Sequence, residues 1–275
     1  IGDDVTISQE AALRLIDLEA GQIVAGSISI GDGATLDIRA GLGGNTVMEP
    51  ESYLTALSSL SEGGRIPRGE KWDGIPAEKA GLAPQKPDLD PAERSYSQLQ
   101  HGVMLVAARF LLGLVLLLPL ELPTAVLAIL YGLDSQSALN WINSPNLSGS
   151  FLLASALLVT LPLPLALAIE AFAVRAMGRV RPGVINRWGI SYIRVWLKSW
   201  MVQSAGEALS GTLFWPIWLR MAGMKVGRDC EISTIIDVVP ELIEIGPETF
   251  FADGIYLGGP RVHRGTVEPA LTRLG

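Results

Sequence analysis

At 275 residues the chain has room for two small domains and a membrane segment. Its net charge of −7 and pI near 5.0 argue against nucleic acid as a partner, and no metal site is expected from its residue spacings. The single cysteine, Cys230, excludes an internal disulfide framework and suits a reducing compartment.

The first 81 residues carry a six-residue period. Ile30, Leu36, Leu42, Met48, Leu54, Leu60, Ile66 and Trp72 fall six apart, and each is large and apolar. Four residues after each of the first six stand Ala34, Ala40, Thr46, Ser52, Ser58 and Gly64, all small. Neither a helix nor a simple strand has this period, whereas a left-handed parallel β-helix of hexapeptide repeats does. One large residue per face points inward, and a small one sits near each corner. Ile1, Ile7 and Leu13 hold the spacing at the start, with Val5 and Ala11 in the small row. The frame then slips through Asp17–Gln22, a loop pushed out of the coil. An Ile-Gly or Val-Gly pair opens a hexad at Ile1, Ile30, Val226 and Ile245, which suggests corners with positive φ. Gly74-Ile75-Pro76-Ala77 stands where the ladder stops and reads as its closing turn.

Residues 82–100 form a solvated linker with Pro84, Pro87 and Pro91. An apolar hairpin follows over 101–177. Its arms, Val103 to Tyr131 and Phe151 to Met177, are each long enough for a hydrocarbon core of roughly 30 Å. Pro119, Pro123, Pro162 and Pro164 read as kinks or helix ends. Arg109 and Glu121 are the charges of the first arm, and Glu121 is either functional within a span or placed at its outer end. Val174–Lys225 carries eight bases against one acid, Glu207, while the 133–150 loop has neither Lys nor Arg. That asymmetry puts both flanking domains on the cytoplasmic side of the inner membrane.

Over 178–222, Trp188, Tyr192, Trp196 and Trp200 are spaced four apart and form one stripe on a helix. Such a stripe among bases either lies in the headgroup layer or packs against protein. Phe214, Trp215 and Trp218 suggest a second interfacial segment. From 223 to 275 the hexads resume, with Val226, Ile232 and Val238 in one run and Ile245, Phe251 and Leu257 in another. Cys230 falls in the small row as a small buried residue. The fold expected is mainly β plus membrane helices: two β-helix domains flanking a transmembrane hairpin. The chain opens in mid-motif at Ile1-Gly2-Asp3, which reads as a piece of a longer polypeptide.

This order resembles the C-terminal membrane region of single-module non-ribosomal peptide synthetases of the ε-poly-L-lysine synthetase type, with tandem hexapeptide acyltransferase-like domains. The residues that carry the resemblance are Arg220–Gly227, Ile235–Leu242 and Ile245–Gly265. It implies amide-bond formation from a carrier-bound aminoacyl thioester, with no cofactor bound in this stretch. The donor would be a phosphopantetheine thioester, or acyl-CoA in a membrane-bound O- or N-acyltransferase. The implied partners are upstream adenylation and carrier domains, an amino acid or short peptide acceptor, and membrane lipid. A scaffold without catalysis is the third reading.

Thioester aminolysis needs a base and donors for an oxyanion. His101, at the start of the first arm, reads as interfacial. His263 is the candidate general base, in Gly258-Gly-Pro-Arg-Val-His-Arg-Gly265, whose glycines and proline suit a loop leaving the coil. Counting by sixes from Phe251 and Leu257 instead places it inward, as a satisfied buried histidine. Asp237, Glu241 and Asp253 are the carboxylates that could orient it.

Overall fold

The computed structural model describes residues 1–89, 93–130, 140, 143, 144, 148–160, 162–257 and 259–275. The turn between the two apolar arms therefore lies largely outside the described residues. The chain divides into two compact units. The first comprises Ile1–Glu93, Val184–Arg187 and Arg261–Glu268; the second comprises Arg94–Gly183, Trp188–Pro260 and Pro269–Gly275.

The first unit is a parallel β-helix-like coil. Its short strands stack in register with partners 18 residues on, three hexads per turn: Thr35 beside Tyr53, Gly41 beside Ser59, and Val47 beside Arg65. Ladder residues from Ile30 to Ile66 are at most 3 % exposed, and the small row from Ala34 to Ser58 at most 2 %. Each buried Leu, Ile or Met there stabilises the coil by roughly 1.5–3 kcal/mol. The first turn is looser, with Ile7 and Leu13 at 43 % and 37 % exposure. Past the ladder, Glu70–Asp73 pairs antiparallel with Glu78–Leu82, so Gly74-Ile75-Pro76-Ala77 does close the coil.

Two details differ from expectation. The glycines after Ile30 and Val226 are not the positive-φ positions, which fall instead at the fourth residue of successive hexads: Gly33, Arg39, Asn45, Glu51, Leu57, Gly63 and Gly69. Gly31 and Gly227 are required by close approach, because a Cβ would lie 2.6 Å and 2.4 Å from the nitrogens of Pro50 and Pro247 in the next turn. The slipped segment is not an irregular loop. Ile16–Glu19 and Gln22–Ala25 form an antiparallel hairpin, with φ positive at both turn residues, Ala20 and Gly21. That is the backbone a two-residue hairpin turn requires.

In the second unit, α1 (Gln98–Leu130) is followed by α2 (Gly149–Thr160), α3 (Pro162–Ala176), α4 (Ile190–Leu209) and α5 (Trp215–Ala222) among the described residues. One described helix is long and apolar enough to cross a membrane, over Gln98–Pro123. The expected transmembrane hairpin is not what the second arm forms. Among the described residues it is seen as α2 and α3 on either side of position 161, which lies outside them, and only the first arm supplies a candidate span. One face of α3 (Glu170, Ala171 and Val174) is buried in protein.

The aromatic stripe of α4 also packs on protein. The Arg109 guanidinium of α1 lies 5.7 Å and 5.0 Å from the ring centres of Trp196 and Trp200, and the His101 ring meets Trp188 and Tyr192. This packing accounts for a cation inside the first arm. Trp215 and Trp218 are stacked and buried, leaving Leu213, Phe214 and Ile217 exposed beside them. The second coil shares this core: Ile232, Ile235, Val238 and Ile245 pack with Met201, Trp215 and Leu219. Its strands are parallel, Val226 beside Ile245 and Ile232 beside Phe251, so the resumed ladder is real. Lys198 of α4 donates to Glu241 Oε1 at 2.6 Å, and the same oxygen accepts from the Val180 amide at 2.7 Å. Burial lowers the Lys198 pKa, and Glu241 opposes that shift.

Candidate active site

One face of the first coil has an unusual outward row. In the sheet of Ala12–Leu13, Gly41–Leu42 and Ser59–Leu60, the inward residues are leucines and the outward ones are Ala12, Gly41 and Ser59, side by side. Small residues there leave a floor, and the hairpin of 16–25 stands beside it, with Leu15, Asp17 and Val24 lining the gap. The result is a cleft of about 480 Å³. Glycines bring its walls together: a Cβ on Gly26 would lie 2.8 Å from Gly44 Cα, and one on Gly43 would lie 2.8 Å from Glu62 N.

Four charged residues line the cleft: Arg14, Asp17, Arg39 and Glu62. Arg39 Nε donates to Glu10 Oε2 at 2.5 Å, and Asn45 Nδ2 donates to Glu62 Oε1 at 3.2 Å. Ser58 is tied into a corner, where the Gly74 amide donates to its Oγ at 2.9 Å and Asp73 accepts from it at 3.3 Å. Hydrogen bonds from Thr55 and Ser58 hold the Asp73 carboxyl below the usual range. No cluster of metal-ligating side chains occurs among the described residues. A narrow, small-floored groove with cations and carboxylates on its walls can hold an extended polar chain and position an amine.

His263 lies elsewhere in the first unit. It does leave the second coil, but as a strand: Arg261–His263 pairs antiparallel with Thr266–Glu268 around Arg264-Gly265, both at positive φ. Ile185–Asn186 adds a third strand. The ring is 1 % exposed. Its Nε2 lies 2.9 Å from the Pro84 carbonyl, which can only accept, so Nε2 carries the proton. Nδ1 therefore accepts from the Thr35 hydroxyl, at 2.9 Å. Burial lowers the His263 pKa, with the charges of Arg264 and Arg261 acting in the same direction. The one basic lone pair of the ring is thus engaged, as the buried-histidine alternative requires.

Around this ring is a constellation that sequence reasoning missed. The Tyr53 ring meets His263 edge-on at 5.7 Å, and Arg261 lies over Tyr53 at 5.0 Å. Tyr53 Oη donates to Asp37 Oδ2 at 2.5 Å, and burial together with that carboxylate raises the phenol's pKa. Two of the three carboxylates expected to orient His263 are engaged otherwise. Glu241 holds Lys198, while Asp253 accepts from Ser233 and Thr234. Cys230 is partly buried, its thiol donating to the Gly246 carbonyl at 3.1 Å, and Glu121 is exposed on α1.

No family model matches the chain. It is similar to a delta-poly-L-ornithine synthetase from Acinetobacter baumannii, at 29% identity over 288 residues. The match covers 100% of this chain and 21% of that protein, so the chain spans about a fifth of its relative's length. Solved structures share local likeness only. The N-acyltransferase AntD from Bacillus cereus, with dTDP-4-amino-4,6-dideoxyglucose and coenzyme A, has a TM-score of 0.28 and 12% identity over 30% of this chain and 52% of its own. A maltose O-acetyltransferase from Clostridium difficile 630 gives 0.26 and 11%, over 30% and 58% of the two chains.

Proposed function

We propose that the chain is part of a membrane-bound non-ribosomal synthetase that joins amino acids into a homopolymer. In this reading its coil domains are the acyltransferase-like, amide-forming component. The observation that carries the proposal is the full-chain similarity to a poly-ornithine synthetase, which runs through both coils and the helices between them. The apolar helix over Gln98–Pro123 and the basic residues of 174–225 favour a place in the inner membrane, with the coils on the cytoplasmic side. Upstream adenylation and carrier domains would activate and deliver the amino acid.

The cleft over Ala12, Gly41 and Ser59 fits a pantetheine arm, because its floor lacks bulky side chains and its glycines admit close backbone approach. Such an arm, when bound, would supply the thioester carbonyl. Arg14 and Arg39 would hold its phosphate end, and Asp17 and Glu62 would gather the cationic amine of the acceptor and take its proton. The amine nitrogen bonds to the carbonyl carbon, and the carbon–sulfur bond breaks to release the thiol. His263 enters as the pin of its hairpin; to act as a base it would first have to release Thr35. The test is to supply the full-length protein with ATP and single amino acids. A homopolymer joined by amide bonds supports the proposal. Transfer from acyl-CoA to a small acceptor without polymer favours the simpler acyltransferase, and neither activity favours a scaffold.

A further inference from the structure

The two coils repeat one another at a constant offset of 244 residues, with Leu13–Ile30 matching Leu257–Leu274. The correspondence is structural. Gly2 N donates to Ile30 O at 2.8 Å, and Gly246 N donates to Leu274 O at 2.7 Å, so both turns are widened by the same insertion. In each, the insertion is a hairpin of identical register: Leu18 faces Ile23 as Val262 faces Val267. The turn residues agree to a few degrees, φ 46° and 77° at Ala20-Gly21 against 45° and 74° at Arg264-Gly265.

The surroundings of the two hairpins differ. Hairpin 261–268 is seated on a coil that precedes it in the chain. His263 bonds to Thr35 and Pro84, Arg264 donates to the carbonyls of Gly33 and Glu51, and Ile185–Asn186 covers its edge. Its Val267 and Thr266 are fully buried. In hairpin 16–25 Ile23, the counterpart of Val267, is 75 % exposed, Leu18, the counterpart of the partly buried Val262, is 71 % exposed, and no third strand joins it among the described residues. A hairpin with the same register and turn thus presents, bare, the apolar surface that its twin buries.

We infer that hairpin 16–25 is a docking element whose seat is a further coil domain, N-terminal to residue 1 in the same polypeptide. The occupant follows from the repeat: the hydrogen-bond partners of hairpin 261–268 lie earlier in the same chain, between Gly33 and Arg187. Among the described residues no strand pairs with hairpin 16–25. The Thr35–Tyr53 face already holds hairpin 261–268, and its counterpart in the second coil would fall, at the same offset, beyond Gly275. A coil seated there would also wall the cleft that Asp17 and Val24 line, turning an open groove into a channel. The inference rests on the reading of the chain as one piece of a longer synthetase.

The test places a photo-crosslinking residue, benzoylphenylalanine, at Ile23, Asp17 or Arg261 in the full-length protein in its native membrane. The probe at Arg261 should mark the peptide containing Tyr53, reproducing the seat that is seen. The probe at Ile23 or Asp17 should mark, within one polypeptide, a hexad-repeat peptide N-terminal to Ile1. Adducts to a second copy, to lipid, or only to residues within 1–275 would overturn the inference, as would failure at Arg261, since the repeat would then predict nothing. Polymer synthesis is measured on the same preparations. An active protein without the Ile23 crosslink sinks the docking alone, whereas a crosslinked protein that makes no polymer in wild-type form sinks the synthetase reading alone.

Discussion

Replacing His263 by alanine separates a pin from a catalyst. The substitution removes the acceptor for the Thr35 hydroxyl and the donor to the Pro84 carbonyl. Pro84 is only half-buried, so water can replace the lost donor there. Thr35 is 1 % exposed, and stranding its hydroxyl costs about 1–3 kcal/mol. Losing the edge contact with Tyr53 adds about 0.5–1.5 kcal/mol. The expected loss is therefore about 2–4 kcal/mol, read by urea denaturation of the full-length protein followed at hairpin 261–268 by hydrogen exchange. The pH dependence gives a second readout. Burial holds the folded-state pKa of His263 below its ordinary value of 6.5, so the unfolded chain takes up the proton first. The His263 contribution is fully present above pH 6.5 and is lost as pH falls below it toward the lowered folded value. The His263→Ala variant should lack that part of the acid slope. Unchanged stability and slope, with turnover down by roughly 10²–10⁴-fold, would refute the pin and restore the general base.

Leu42→Asp should unfold the first coil, since an unpaired carboxylate buried in the ladder costs several kcal/mol, whereas Leu57→Asp, at an outward corner of the same coil, should be tolerated. Equal effects of the two would mean that the hexad frame is misplaced. Lys198→Met strands the Glu241 carboxylate and should destabilise the second unit by about 3–5 kcal/mol, with Lys198→Met/Glu241→Leu recovering most of it. A double variant as damaged as the single one would show that packing of the lysine stem, not the ion pair, is at stake. For topology, a cysteine at Asn143 in a Cys230→Ser background should label in intact cells; labelling only after permeabilisation would reverse the proposed orientation.

Much of the coil was legible because its physics is local and periodic. A six-residue row of large side chains with a row of small ones has no other simple fold, and Ile30 to Ile66 are buried as that row demands. What the period could not carry was whatever leaves it. The 16–25 and 261–268 hairpins break the count, and their positive-φ turns use Ala-Gly and Arg-Gly, which lack the familiar Asn-Gly signature. The 244-residue offset between Leu13–Ile30 and Leu257–Leu274 was nonetheless present as a signal, since each stretch sets a turn glycine at the same place. The cleft was readable too, from the small residues Ala12, Gly41 and Ser59 that each precede an inward leucine. The environment of His263 was not, because Thr35, Tyr53 and Pro84 lie roughly 180–230 positions away and no spacing rule connects them. In the helical region, apolarity alone could not distinguish lipid from protein around α3; the burial of Glu170, Ala171 and Val174 decides it.

The most direct test of the account fills the cleft and asks which half of the reaction stops. Ser59 is half-buried in the floor row, and Ser59→Trp places an indole where the aminoacyl thioester arm and its acceptor would meet. Amino-acid-dependent pyrophosphate exchange and covalent loading of the carrier domain should be unchanged in the full-length protein, with an unchanged melting temperature. Polymer formation should fall by roughly 10²-fold or more, the scale set by misplacing reacting groups. Wild-type polymer yield from a stable, fully loaded Ser59→Trp protein would contradict the account and move bond formation out of this coil.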